Sequence, residues 1–245
     1  FLIDQNTTQI EVLPYLEYLE DPSLSLTFEE ASSQAYSDKF QRFDKNKGLT
    51  PSAFWFRFTF TAQSEEEREW LMEVKYPLLD SMQFFIVSNA SNKIIQKEVG
   101  DFFPYSQRPL DHRNFVLSII SKGKQTFTYY VRMRSTSSID FPATIWAPKE
   151  FLESSTKEYV GLGFYYGIVL VMVLYNLFLF FTLKDRNYLY YISIILAIGL
   201  FQFTFNGLGY QSLWGEYPLW NSKAISFFIT LMGLTLMNFA RAFLD

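Results

Sequence analysis

Tyr159–Leu183, YVGLGFYYGIVLVMVLYNLFLFFTL, carries no charged residue. As a helix it extends roughly 37 Å, enough to cross a hydrocarbon core with some tilt. Glu158 closes it on one side and Lys184-Asp185-Arg186 on the other. The residues before it are mixed, charged and turn-rich, and most of those after it are apolar. The stretch therefore reads as a first transmembrane helix that separates a water-facing part from a membrane part.

Toward the C-terminus there are two further apolar segments. One lies within Asn187–Gly215, with Asn206-Gly207-Leu208-Gly209 as its exit, and the other within Ala224–Ala240. Spans are expected at about 159–183, 188–206 and 224–241. Lys184 and Arg186 sit in a very short loop and Arg241 ends the third span. Positive charge beside short loops stays in the cytoplasm, so the N-terminal part is expected outside. Trp214, Tyr217 and Trp220 fit an aromatic belt at the outer surface. Gly163 and Gly167 form a small-xxx-small spacing that lets helices approach, within one bundle or between two copies, so a homodimer is compatible with it. Asn176, Gln202, Asn206 and Asn238 are expected to bond across helices. No charge lies within a span, which disfavours a transporter.

Toward the N-terminus the composition changes. Before Tyr159 there are 22 acidic and 17 basic residues, a net charge of about −5. The mean hydropathy of +0.03 hides this division. The acidic balance offers no basic footprint for nucleic acid. The absence of cysteine excludes disulfides and thiolate chemistry. The chain begins at Phe1 without a charged region before an apolar core. Removal of a signal peptide and a start within a longer protein both remain open. The third apolar segment runs to Asp245, and a longer parent chain is expected.

In Ala53–Thr61, AFWFRFTFT, the residues Phe54, Phe56, Phe58 and Phe60 share one face of a strand and must meet a core. Further strands are expected at Trp70–Tyr76, Met82–Ser88, Lys93–Val99, Asn114–Ile120, Gln125–Ser135 and Ile139–Ala147, with an edge strand in residues 9–19. Asn89-Ala90-Ser91-Asn92 and Ser121-Lys122-Gly123-Lys124 read as turns. About eight short strands at this spacing predict an all-β jelly-roll sandwich over residues 1–150. Residues 151–158 read as a linker, with Ser154, Ser155 and Thr156 placed to cap the first helix, and 159–245 as the membrane part.

Two groups of residues are candidate ligand contacts. The loop Gly100–Asn114, GDFFPYSQRPLDHRN, gathers Gln107, Arg108, His112, Arg113 and Asn114, which could hold a carboxylate, a phosphate or a sugar. The same arginines and amides could instead pin an irregular loop through backbone carbonyls. The second group lies on the face opposite the phenylalanines: Trp55 and Arg57 on one strand, Tyr130, Arg132 and Arg134 on another. Rings that stack on sugars and arginines that bond hydroxyls would make a glycan platform; the plain alternative is a solvated face where arginine stacks on rings. His112 is the only histidine, no metal-ligand spacing is present, and no metal or cofactor is expected. Glu65-Glu66-Glu67 reads as a solvated turn.

Several stretches together resemble a known family. GFYYGIVLVMVLYNLFLFFTLKDRNYLYY and GLFQFTFNGLGYQSLW, preceded by YLEYLEDPSLSLTFEEA, FWFRFTF, YPLLDSMQFFIV and GDFFPYSQRPLDHRNFVL, are similar to the bacterial seven-transmembrane receptors with diverse intracellular signalling modules. The resemblance implies a carbohydrate-binding-module-like jelly roll outside the cytoplasmic membrane, seven helices, and a cytoplasmic kinase, cyclase or phosphatase module that this chain lacks. The expectation is a sensor that binds a small molecule or carbohydrate and relays the event inward, with no enzyme activity in this chain. The alternative is a membrane-tethered carbohydrate-binding protein without signalling output.

Overall fold

Strand alternation and charge-free runs divide the computed structural model into two compact units, Phe1–Phe151 and Leu152–Asp245. It describes residues 1–4, 6–44, 46–89, 94–136 and 138–244. In the first unit the chain runs through β1 (Leu2–Ile3), β2 (Gln9–Glu11), β3 (Glu17–Asp21), the short helices α1 (Phe28–Ala31) and α2 (Gln34–Ser37), and β4 (Gln41–Arg42). It continues through β5 (Ala53–Val74), β6 (Ser81–Ser88), β7 (Ile94–Val99), β8 (Phe115–Arg134) and β9 (Ala143–Trp146). Pro14 breaks the expected edge strand of residues 9–19 into β2, a 3-10 turn at Leu13–Tyr15, and β3.

Two long antiparallel strands, β5 and β8, form the spine. The first half of β5 pairs with β3 and with the second half of β8, which in turn pairs with β6, and β6 with β7. The second half of β5 pairs with the first half of β8 and with β9, which pairs with β2. One buried cluster joins residues from both halves: Phe54, Phe56, Phe58 and Phe60 from the first, Trp70, Met72 and Val74 from the second. The two halves of each strand thus lie in two layers of an antiparallel sandwich around one core.

This continuity corrects the expected strand list. Ala53–Thr61 and Trp70–Tyr76 are one strand, and Ser121–Lys124 is not a turn but part of β8. The register shifts between Ser64 and Arg68, opposite Gly123 at φ +70°, where a glycine carries the left-handed backbone without steric cost. Polar residues gather there because the strands round the solvent-exposed corner of the sandwich, which imitates a turn in sequence. The final strand is also shorter than Ile139–Ala147. The expected turn at Asn89–Asn92 lies largely outside the described residues, as does Lys93 at the head of its strand.

The second unit is helical. It holds all but the first turn of α3 (Pro148–Leu183), then α4 (Asn187–Phe205), the short α5 (Leu208–Ser212) and α6 (Pro218–Leu244). The first of these already begins at Pro148, so the polar stretch 151–158 is helical and Ser154–Thr156 lie inside it, with Thr156 Oγ1 donating to the Leu152 carbonyl (2.7 Å). Among the described residues three helices are long and apolar enough to cross a membrane: Pro148–Leu183, Asn187–Phe205 and Pro218–Ala242. Phe164, Ile168, Val171, Leu174, Phe178 and Phe181 are exposed along α3. Each such side chain costs about 1.5–3 kcal/mol to leave in water, which hydrocarbon removes.

Candidate functional site

The outer face of the β5–β8–β6 layer is divided in two. Over its first part a small second core closes: Phe28 and Ala31 of α1, with Phe40, bury Trp55, while Phe85 and Tyr130 pack at the edge. Phe28 stacks on Phe85 with centroids 4.5 Å apart. Thr27 and Glu30 form a reciprocal capping box that starts α1 and so places Phe28 over the sheet. Arg57 is enclosed as well. Its Nη2 lies 2.7 Å from Glu17 Oε2, it donates to the Ser37 carbonyl, and its guanidinium stacks 4.2 Å from the Phe40 ring. The expected open platform of Trp55, Arg57 and Tyr130 is therefore corrected. Trp55 is 1% exposed, and the segment 26–40 covers these rings.

Beyond this cover the same face opens into a cleft of about 870 Å³. Strand alternation and register build its floor. Arg132 of β8 stands opposite Gln83 of β6, Gln83 opposite Glu98 of β7, and Arg134 opposite Ser81. Gln83 Nε2 and Ser81 Oγ both donate to Glu98 Oε1, at 3.2 and 3.3 Å. One wall is the turn after β3. Asp21 accepts from Leu26 N (3.0 Å) and Ser23 Oγ (2.5 Å) and holds Leu24 at φ +61°. The Leu24 carbonyl accepts from Arg132 Nη2 at 2.7 Å. Leu49 and Phe102 stand exposed at the rim. The cleft thus offers two guanidiniums, a carboxylate–amide pair and an exposed ring, a set suited to a small polar ligand with an apolar face.

The loop after β7 turns inward. Arg108 donates through Nη1 to the carbonyls of His112 (3.2 Å) and Arg113 (2.8 Å) and stacks 4.2 Å from the Phe115 ring. Asn114 Nδ2 donates to the buried Glu73 Oε1 (2.7 Å), and Trp146 Nε1 to Glu73 Oε2 (3.0 Å). His112 accepts from Asn114 N through Nδ1 and lies against Phe151 with ring centroids 5.2 Å apart. No room for a ligand remains in the space beside Gln107 and Arg108. Arg108 pins the loop through carbonyls, as one of the two sequence readings has it; Asn114 does so through a carboxylate. Among the described residues no three histidine, aspartate or glutamate side chains gather to hold a metal ion.

The loop starts at two buried acids beside the cleft, Asp80 and Asp101. Burial pushes the Asp101 carboxyl up to about 7, the Asp80 charge adds to the shift, and Arg108 opposes it. The folded protein keeps the Asp101 proton through mildly acid pH, where the unfolded chain has released it. Asp101 therefore favours folding below about pH 4, and that contribution is lost as pH rises toward about 7. Asp101→Asn is expected to gain stability relative to the parent across this window and to run parallel to it at higher pH. Calorimetric unfolding of both proteins over the range checks this; parallel curves throughout would refute it.

In the helical unit the expected small-residue contact moves. Nothing described lies within 4 Å of where a Cβ would stand on Gly163 or Gly167, whereas at Gly199 of α4 it would meet Val169 Cγ1 at 3.2 Å. The close approach of α3 and α4 is made at Gly199, and both α3 glycines face away from it. Asn176 Nδ2 donates to the Met172 carbonyl of its own helix (2.7 Å) instead of across helices. Asn206 does reach across, to Tyr166 (3.1 Å), and Tyr159 donates to Gln211 (3.0 Å). Trp214 and Trp220 meet edge to face, and Trp214 donates to Asn221 (3.1 Å).

Residues 13–147 match a family model described as 7TMR-DISM extracellular 2, and residues 158–245 one described as 7TM diverse intracellular signalling. A comparison with curated proteins gives no match. Among solved structures, a selenomethionine-labelled β-glucosidase from Kluyveromyces marxianus aligns at 13% identity, covering 54% of this chain and 14% of that one, with a TM-score of 0.25. A β-glucosidase from the same organism in complex with glucose aligns at 12% identity, covering 54% and 15%, with a TM-score of 0.26. The chain spans about a seventh of those enzymes, and at such scores the likeness bears on neither fold nor activity.

Proposed function

The chain belongs to the seven-transmembrane receptors with diverse intracellular signalling modules, and from that premise we propose that its sheet unit senses a small polar ligand, of carbohydrate class, in the cleft over Arg132, Gln83 and Glu98. The family makes the chain an extracellular sensor joined to the membrane part of a signalling receptor. One observation carries the choice of site. The outer face of the sheet is covered over Trp55 and Tyr130 but open over Arg132 and Arg134, which leaves hydrogen-bonding side chains at the foot of a cleft with an exposed ring at its rim. Hydroxyls match the carboxylate and amide, and the face of a pyranose matches Phe102.

The test is thermal unfolding of the whole chain in lipid nanodiscs against a panel of oligosaccharides. At least one saccharide is expected to raise the unfolding temperature of the parent and to have no effect on Gln83→Ala or Phe102→Ala. A shift that both variants retain, or no shift with any saccharide, would sink this reading.

The signal would then pass inward through helices that cross the bacterial cytoplasmic membrane several times, with the sheet unit outside. Lys184, Arg186 and Arg241 favour the cytoplasmic side for the turn between α3 and α4 and for the last turn of α6. Because the chain has no cysteine, single replacements report topology cleanly. On spheroplasts an impermeant maleimide should label Glu29→Cys at once and Asp185→Cys only after lysis, and the reverse order would invert the assignment.

A further inference from the structure

We infer that the ligand of the cleft is an acidic saccharide, whose sugar carboxylate is held by Arg134 and Arg132; this rests on the cleft being the sensing site. Neither guanidinium is ion-paired with a carboxylate of the cleft. Arg134 is exposed and its side chain makes no hydrogen bond or ion pair with any described residue. The Arg132 side chain bonds a described residue only through Nη2, to the neutral Leu24 carbonyl, and its Nε is buried without a partner among the described residues.

Two carboxylates line the same cleft, yet neither pairs with these arginines. Glu98 Oε1 is taken by the neutral donors Ser81 and Gln83, and Asp80 Oδ2 by the Thr136 backbone N–H at 2.6 Å. Guanidiniums can serve neutral hydroxyls, but two that lack a carboxylate partner bond an anionic oxygen more strongly. Arg132 and Arg134 are two residues apart on one face of β8, about 7 Å along the strand. That spacing lets both forks converge on a single planar carboxylate in charge-assisted bonds. The balancing acids count against a doubly charged phosphate, because the cleft as a whole carries no excess positive charge. Glu98 and Gln83 remain for ring hydroxyls and Phe102 for the sugar face, so each class of group on a uronic acid has a counterpart.

The experiment measures binding to the whole chain in nanodiscs of zwitterionic lipid, with trigalacturonate, trimannuronate and the methyl ester of each as probes. At least one acid is expected to bind, its ester about tenfold more weakly or not at all, and added salt to weaken the acid alone. Arg134→Gln, which removes no internal bond, is expected to lose about tenfold for the acid and nothing for the ester; Arg132→Gln also loses it but frees Leu24. Equal binding of acid and ester, or an unchanged Arg134→Gln, would overturn the inference. So would binding of only neutral oligosaccharides in a manner that still requires Gln83, and in that case the cleft stands as the sensing site. If no saccharide of either kind binds, both readings fall together.

Discussion

Replacing Trp55 by alanine lowers the stability of the sheet unit by about 3–5 kcal/mol. The indole is 1% exposed between the sheet and the segment 26–40. It is the largest side chain of a small cluster with Phe28, Ala31 and Phe40, against which Phe85 and Tyr130 pack. Removing it leaves a cavity that the two short helices fill poorly by collapse, because Arg132 holds the turn before α1 at the Leu24 carbonyl and Arg57 holds the end of α2 at Ser37. Calorimetric unfolding of the full chain would show the transition of the sheet unit shifted down. Trp55→Phe, which keeps much of the buried area, should recover most of the loss. An alanine variant as stable as the parent would mean that the cover over Trp55 is not formed.

Gly100→Ala costs at least about 3 kcal/mol and disturbs the cleft at the same time. A Cβ on Gly100 would run into the carbonyl oxygen of Asp80 and stand 2.9 Å from Ser81 Cα. Both obstacles are backbone, and neither can turn aside as a side chain could. Asp101 N and Phe102 N donate to Leu79 and Asp80, so the chain entering the loop cannot move off without breaking these bonds. Asp80, Ser81 and Phe102 all line the cleft. The variant should therefore unfold at lower temperature and also lose any ligand bound there. Serine, which adds the same Cβ, should fare no better than alanine. Unaltered unfolding of Gly100→Ala would show that the loop does not lie against β6 as described.

Much of the architecture is legible in the residues. The run 159–183 could only be a membrane helix, and alternation of Phe54 to Phe60 could only be a strand with one face in a core. What could not be read is where strands end. Ser121–Lys124 has the composition of a turn although the strand continues through it past a register shift, and sequence does not distinguish a corner from a reversal. The cover over Trp55 was hidden for a related reason. Phe28, Ala31 and Phe40 lie in a largely polar segment, although the Thr27–Glu30 spacing was a signal that a helix starts there.

The cleft was half visible. Arg132 and Arg134 stand on the outer face of β8 by alternation alone, but Ser81, Gln83, Glu98 and Phe102 join them only through register with β6 and β7. Gln83 could have been noticed as a polar member of the outer face of MQFFIVS; nothing in the sequence ties Glu98 to it. The residues of the Gly100–Asn114 loop are close together in sequence yet turn their polar groups on the loop itself.

The two strands that run through both layers also restrict how the sandwich can move. Because β5 and β8 each contribute inward side chains to the two halves of the core, sliding either strand by one residue would turn both sets outward together. Layer against layer, the sandwich has no easy gliding motion. It can yield where the register already shifts, at the corner between Ser64 and Arg68 opposite Gly123, so a ligand that strains the open layer would be answered by a change in curvature there.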